Sequence, residues 1–313
     1  MIKLNYLIIL IISILISFKS LSNEIKIIYQ IEDEIITTHD VKEEIKFLKI
    51  NQNFSNLNNK ELFQVSLNSL IKEMIKKKEI SKFYDIKYNS KNNLSLGEKL
   101  LSQIGGKLGY ASYNEFKKYL NINNIDLISF KKKLLIENYW NQLIFDKYIN
   151  LIKIDQNKIN IQLEKIIKSN TSLLSFNLSE IVILEKNEEE FKKKFEEILV
   201  SIKDRGFEES AVLYSISESA SSGGVIGWVN ETQISEIIFN EIKNLEIGNF
   251  SKPIQTSSGK IILKVNDKKN ISKNLDIENE KEKLIEFEKN RLLKQFSILY
   301  YKEIENKIYA KKL

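Results

Sequence analysis

The stretch SSGGVIGWVN, Ser221 to Asn230, sets Gly223, Gly224 and Gly227 within five residues, in a chain of 313 residues that has only ten glycines. Working outward, six of those ten (Gly206, Gly223, Gly224, Gly227, Gly248, Gly259) and the single proline, Pro253, fall between 206 and 259. Strand-like runs frame the region, Asn177 to Leu184 on one side and Lys260 to Asn266 on the other. Between them the spacing predicts helices over 188–205, 207–214 and 234–245. Turn residues concentrated between two apolar runs mark a separate α/β domain.

The flanks have a different texture. Residues 26–30 and 34–37 read as two short strands, and Thr37-x-x-Asp40 resembles a capping box with Asp in place of Glu. Helices are predicted over 40–50, 60–82, 94–107, 112–121 and 126–149, broken by Asn-rich pieces and by Gly105-Gly106 and Gly109. In 60–82, Leu62, Phe63, Leu67, Leu70, Ile71, Met74 and Ile75 form one apolar face, the mark of a helix packed on helices. After Lys268 the helical texture returns: Leu284, Phe287, Leu292, Phe296, Leu299, Tyr300, Ile304 and Ile308 recur near helical period across 277–309.

Several function classes drop out on composition. With no cysteine and one histidine, His39, the chain has no Cys-based metal site, no His cluster, no disulfide and no thiol chemistry, so no metal and no cofactor are expected. There is no GxxxxGK[ST], and the Gly223 to Gly227 cluster precedes a Trp-containing strand, so no nucleotide is expected. The first residues have the form of a signal peptide: Lys3, an apolar run from Tyr6 to Phe18, and Ser20-x-Ser22 as the cleavage site. Lys19 cuts the run short of the roughly 20 residues a bilayer span requires. Removing residues 1–22 takes away Lys3 and Lys19 and no acid, which lowers the formal charge from +6 to +4. The remaining basic runs, at 76–78, 117–118 and 131–133, read as solvated helix faces, and no nucleic-acid partner is expected.

Four spaced motifs in order carry a resemblance. Phe207-x-x-x-Ala211-x-x-Tyr214-Ser215, then Gly223-Gly224-Val225-Ile226-Gly227-Trp228, then Leu245-x-x-Gly248-x-x-Ser251-x-Pro253-Ile254, and Ser258-Gly259-Lys260-Ile261-Ile262-Leu263-Lys264-Val265 together resemble the parvulin (PpiC-type) peptidyl-prolyl isomerases. The glycines then have a reason: they permit positive φ at the entry to a central strand, where a Cβ would clash. The flanks, with Tyr113-x-x-Phe116-x-x-x-Leu120 among the helices, resemble the SurA-type periplasmic chaperones. That resemblance implies an α+β multidomain fold. A mainly helical N-terminal chaperone module (23–170) follows the signal peptide (1–22) and is completed by a C-terminal helix (269–313). A parvulin-like domain (171–268), an antiparallel sheet surrounded by helices, is inserted between them.

The resemblance also places the site, and here the chain departs from the family. Active parvulins carry two facing histidines; the matching positions are Glu180, in Leu178-Ser179-Glu180-Ile181, and Ile261. The family's Cys or Asp falls at Ser217, the proline-pocket Met at Ile234 and its Phe at Ile238, with Phe239 adjacent, while Ser258 keeps the family's Ser or Thr. The degenerate positions are therefore Glu180, Ser217, Ser258 and Ile261, and the peptide-binding candidates are Ile234, Ile238, Phe239 and Trp228. Two readings compete. One is a periplasmic folding chaperone that holds unfolded exported polypeptides, outer-membrane proteins above all, with a weak or inactive isomerase domain. The other is an active peptidyl-prolyl cis-trans isomerase. A structural envelope protein with no client role is the third reading. Trp140, Tyr139 and Phe145 are candidates either for buried core or for the lining of a client cradle.

Overall fold

The computed structural model describes residues 25–312 apart from 32–33, 51–53, 55–56, 169–171, 186, 258, 273–275 and 309. The proposed signal peptide and its cleavage site lie outside the described residues. No helix among the described residues is long and apolar enough to cross a membrane.

The chain starts with an antiparallel strand pair, β1 (Ile27–Ile31) and β2 (Glu34–Thr37). Thr37 then caps α1 (Thr38–Leu48): its hydroxyl accepts from Asp40 N, and the Asp40 carboxylate accepts from Thr37 N at 2.7 Å. The predicted capping box is present, with the shorter Asp reaching back as Glu would. A second box, Asn58 with Glu61, starts α2 (Asn59–Ser81). Helices α3 (Lys91–Lys107), α4 (Tyr113–Ile122) and α5 (Leu127–Tyr148) follow, within a residue or a few of their predicted limits.

Two elements were not anticipated. Helix α6 (Gln156–Lys168) fills the interval before the α/β unit, and a last strand, β7 (Ala310–Lys312), pairs antiparallel with β1 to give the order β2-β1-β7.

The helical module has its main core where α2, α5 and the C-terminal helix α10 (Ile277–Lys307) meet: Ile75, Ile80, Ile136, Trp140, Leu143 and Ile144 pack with Tyr300 and Ile304. Trp140 is fully buried, its ring stacked on Tyr300 at 5.8 Å between centroids, and its Nε1 donates to Ser297 Oγ at 2.8 Å. It is core, as is usual for a Trp whose one donor is satisfied. A satellite core holds Leu101, Phe116, Leu120 and Phe130 from α3, α4 and α5. Helices α1 and α2 pack through Val41 and Leu67, and ion pairs tie both to α5: Lys133 Nζ sits 2.9 Å from Glu44 and 2.7 Å from Glu73. Burial opposes that ammonium, but the two carboxylates outweigh it and hold its pKa well above the usual lysine range.

The α/β unit is a four-stranded antiparallel sheet of order β4-β3-β6-β5, with β3 (Ser172–Ile183), β4 (Val225–Asn230), β5 (Ile254–Thr256) and β6 (Gly259–Ser272). Strands β3 and β6 pair from Ser172↔Ser272 to Ile183↔Lys260, so the chain enters and leaves the unit side by side. On one face Ile181, Ile183 and Ile262 pack under α7 (Glu188–Arg205) and α8 (Phe207–Tyr214) through Phe191, Ile198, Phe207 and Ala211. On the other, Phe176, Leu178, Leu263 and Val265 pack with Val229, Ile234 and, from α9 (Glu236–Ile242), Ile242. Helix α10 joins the two units: Leu284 packs with Leu173 of β3 and with Ile159 and Ile166 of α6, more than about four turns before Tyr300 enters the helical core. The architecture is thus a helical module completed by a C-terminal helix, with an antiparallel α/β unit inserted into it.

Candidate functional site

Alternation along β3 puts Glu180 on the same sheet face as Phe176 and Leu178, and Ile261 lies on that face of β6 with Leu263 and Val265. Glu180 is registered with Leu263, and Ile261 with Val182, so the two positions are diagonal neighbours across adjacent strands. Ile238, Phe239 and Ile261 pack against the cluster that includes Ile234, and the Phe239 ring meets Phe176 edge-on at 6.2 Å. The structure therefore brings Glu180, Ile261, Ile234, Ile238 and Phe239 to one face. Trp228 is on the other: Val229 beside it enters the cluster, and Trp228 points away, 41% exposed, with Lys269 Nζ 3.9 Å above its ring. Ser258 lies outside the described residues.

The glycine stretch closes this site from the side. Gly224 has φ +77°, and a Cβ there would lie 2.2 Å from the carbonyl oxygen of Glu180. With no Cβ, the Gly224 carbonyl accepts from Glu180 N at 2.8 Å and draws the preceding loop against β3.

That loop supplies a file of hydroxyls. Ser219 Oγ donates to Glu180 Oε1 at 2.8 Å; Ser217 Oγ is 2.7 Å from Ser219 Oγ; Ser215 Oγ is 2.9 Å from Ser217 Oγ and accepts from Val182 N at 2.9 Å. Because Ser219 spends its proton on the carboxylate, its oxygen is left to accept from Ser217, and Ser217 likewise from Ser215, so the hydroxyls align toward Glu180. Of these serines the resemblance gives Ser217 a site position and includes Ser215 in its first motif. Ser219 is readable only as a continuation of that alternation of serines.

Burial pushes the Glu180 carboxyl above the usual range; Ser219, Lys294 and Ser217 pull it down, and Glu218 adds to the rise. A carboxyl raised in the folded state stabilises the fold at low pH, and that contribution is lost as pH rises through its folded pKa. We expect Glu180→Gln, which keeps the acceptor for Ser219, to melt at a higher temperature than the parent at neutral pH. The advantage should vanish as the pH falls below the ordinary carboxyl value of 4.5. Melting curves across that range check it; a constant difference at all pH values would show that the carboxylate costs the fold nothing.

Chemically, the apolar half of the site is a packed aliphatic and aromatic cluster, while the polar half is engaged within the protein. No imidazole lies on the face, and Glu180 already accepts from Ser219. Among the described residues no group of three or more His, Cys, Asp or Glu side chains is placed to hold a metal ion.

Residues 174–267 match the family model "Rotamase: PPIC-type PPIASE domain". The chain is 23% identical over 307 residues to a chaperone SurA of Buchnera aphidicola, covering 89% of this chain and 65% of the relative. It is 22% identical over 188 residues to a chaperone SurA of Nitrosococcus oceani, covering 57% of this chain and 44% of the relative. The chain thus spans less than two thirds of the length of either curated relative. A solved structure of SurA-like chaperones from Campylobacter jejuni is 15% identical, with a TM-score of 0.35 over 92% of this chain and 98% of that one. Residues 174–267 are a PPIC-type PPIASE domain, and the chain that carries them is SurA-like, with one such domain.

Proposed function

We propose that this protein is a periplasmic folding chaperone that holds unfolded exported polypeptides, outer-membrane proteins among them, and whose PPIC domain binds peptide with little or no isomerase turnover. In this reading residues 1–22 are removed on export, 23–170 and 269–313 form the chaperone module, and 171–268 form the PPIC domain. The observation that carries it is the pair Glu180 and Ile261 on the site face, one carboxylate held by a serine and one aliphatic side chain. Isomerisation must lower a barrier of about 18–20 kcal/mol by supporting a twisted amide. An aliphatic side chain offers the amide no hydrogen bond, and the carboxylate is already engaged. Holding needs only apolar surface and strand edges, and two such places support the reading. Val225, Ile226 and Trp228 are exposed on β4, an edge strand able to accept an extended client by strand addition. Ile25, Ile27 and Ile35 are exposed on the three-stranded sheet and its approach.

The test pairs two assays on the full chain. It should suppress aggregation of an unfolded outer-membrane protein near stoichiometric amounts while accelerating Xaa-Pro isomerisation little above background. Glu180→His with Ile261→His should raise the isomerase rate by about tenfold or more, within the range general acid–base groups supply. Parent turnover equal to that of an active parvulin would instead make the chain an isomerase, and absence of both activities would sink the reading.

A further inference from the structure

The turn 123–126 joins α4 to α5 at the end of α5 remote from the main core. Ile128, just past that turn, lies about 18 Å along the helix from the buried Trp140. The turn is held from within. Asn124 is the one residue other than glycine with a positive φ among the described residues, at +53°, a conformation asparagine tolerates. Its N–H donates to Asn121 O at 3.1 Å, Ile125 N donates to Leu120 O at 3.0 Å, and Asn123 Nδ2 donates to Tyr119 O at 2.8 Å. Ile125 is buried in the satellite core with Phe116, Leu120 and Phe130.

On either side of this fixed turn a large aliphatic side chain stands in water: Ile122 is 69% exposed and Ile128 64%. Exposed apolar residues scattered singly need no explanation, but these two have matching neighbours. Lys118 precedes Ile122 by four residues on α4, and Lys132 follows Ile128 by four on α5, so each isoleucine shares a helix face with a lysine one helical turn back. Lys117 stands beside Lys118, and all three lysines are exposed. Lys132 leans over the Tyr88 ring at 5.9 Å, and among the described residues none of the three forms an ion pair. The acids nearby are occupied. Glu98 pairs with Lys131 at 3.0 Å, Glu115 accepts from Ala111 N at 2.9 Å, and Asp126 accepts from Ser129 Oγ at 2.6 Å and from the N–H groups of Ile128 and Ser129. Over 91–132 seven lysines stand against these three acids, which leaves the region cationic.

We propose that the α4–α5 turn is a docking tip for an anionic lipid surface: Ile122 and Ile128 enter the headgroup region, and Lys117, Lys118 and Lys132 meet lipid phosphates behind them. The apolar tips lose water where headgroups give way to acyl chains, while the lysine stems reach back and keep their ammonium groups among the phosphates. Lysines alone would suit any polyanion, and isoleucines alone any apolar partner. The two together, one helical turn apart on both helices, fit a surface that is apolar within and negative at its rim. No helix among the described residues can span a bilayer, so the contact is superficial and reversible. It rests on neither the site face of the PPIC domain nor the holding of clients.

The chain from Asn23 onward, the exported form proposed above, is the one to use, because the apolar run at 6–18 would enter lipid on its own account. It should co-sediment with vesicles of equal parts phosphatidylglycerol and phosphatidylcholine, not with phosphatidylcholine alone, and rising salt should release it. Ile122→Ser with Ile128→Ser should weaken binding at least about tenfold, and so should Lys117→Gln, Lys118→Gln and Lys132→Gln together. All five side chains are exposed, so both variants should keep the parent's helical signal. A polarity-sensitive dye reads insertion directly, since the chain has no cysteine of its own. Its emission should shift to the blue with anionic vesicles on Ile122→Cys, and stay unchanged on Ile237→Cys of α9, a residue 68% exposed in the parent. No binding by the parent, binding untouched by both sets of substitutions, or an equal dye response at the two positions overturns the proposal. Loss with only one set overturns it too: the lysines alone would mean ionic adsorption, the isoleucines alone a contact without headgroup selection. If the isoleucine variant binds vesicles as the parent does yet no longer suppresses client aggregation, the turn is a client surface and the lipid reading falls.

Discussion

Removing residues from 275 onward should unfold the helical module and leave the PPIC domain folded. The truncation takes Tyr300 and Ile304 out of the main core, with Leu293, Phe296, Tyr301 and Ile308 from its margin. It also strips β1 of β7, leaves Trp140 Nε1 without Ser297, and leaves Glu79 without the Tyr300 hydroxyl. At roughly 1.5–3 kcal/mol for each large apolar side chain, the loss is on the order of 10 kcal/mol, comparable to the whole stability of a domain. Circular dichroism should show the 23–165 region without cooperative melting, and a separately made 275–313 peptide should restore it. If the truncated chain keeps its helical signal and its melting temperature, the main core does not depend on α10.

The second large effect belongs to the opening stretch. In Gly224→Ala the new Cβ would meet the Glu180 carbonyl oxygen at 2.2 Å and the Ala211 Cβ at 3.0 Å, at a φ of +77°. The nearest obstacle is backbone, which cannot swing aside as a side chain tip can. We expect a loss of at least about 3 kcal/mol, confined to the PPIC domain, from the strained φ and the displaced loop together. Gly106→Ala, on α3 with nothing within 4 Å of its Cβ position, is the matched control and should stabilise by about 0.5–1 kcal/mol. Denaturant melts of the two variants decide it; equal stabilities would show that the loop yields to a Cβ.

How much of this could be read before the fold was seen depends on whether the cause was local. The limits of α7 and α8 follow from the Asn187 cap, the acids of the first turn and Gly206 between the helices, all adjacent in sequence. The core strands of the α/β unit show in their own alternation. Strand β7, by contrast, is Ala310-Lys311-Lys312, with no intrinsic strand signal; pairing with β1 across the length of the chain makes it one. Helix α6 carried a signal in Ile159, Leu163 and Ile166, a stripe only one side chain wide whose partners Leu173 and Leu284 lie outside it. At the site, spaced motifs found β4 and β6, helical spacing found α9, and the resemblance pointed to Glu180 and Ile261, which the strand register then sets on one face. The bond of Ser219 to Glu180, the turn of Trp228 away from that face, and Phe287 arriving from α10 depend on tertiary approach, which no local pattern encodes.

The indole of Trp140 and the hydroxyl of Ser297 are 157 residues apart, and the Tyr300 hydroxyl and Glu79 are 221 apart. The PPIC domain, by contrast, closes on itself within one contiguous stretch. A chain that emerges N-terminus first can therefore complete the inserted domain while the surrounding module still lacks its last helix and strand. Until those residues arrive, the half-built core around Trp140 stands open to whatever apolar chain is near, and in that interval the molecule is in the condition of the clients proposed for it.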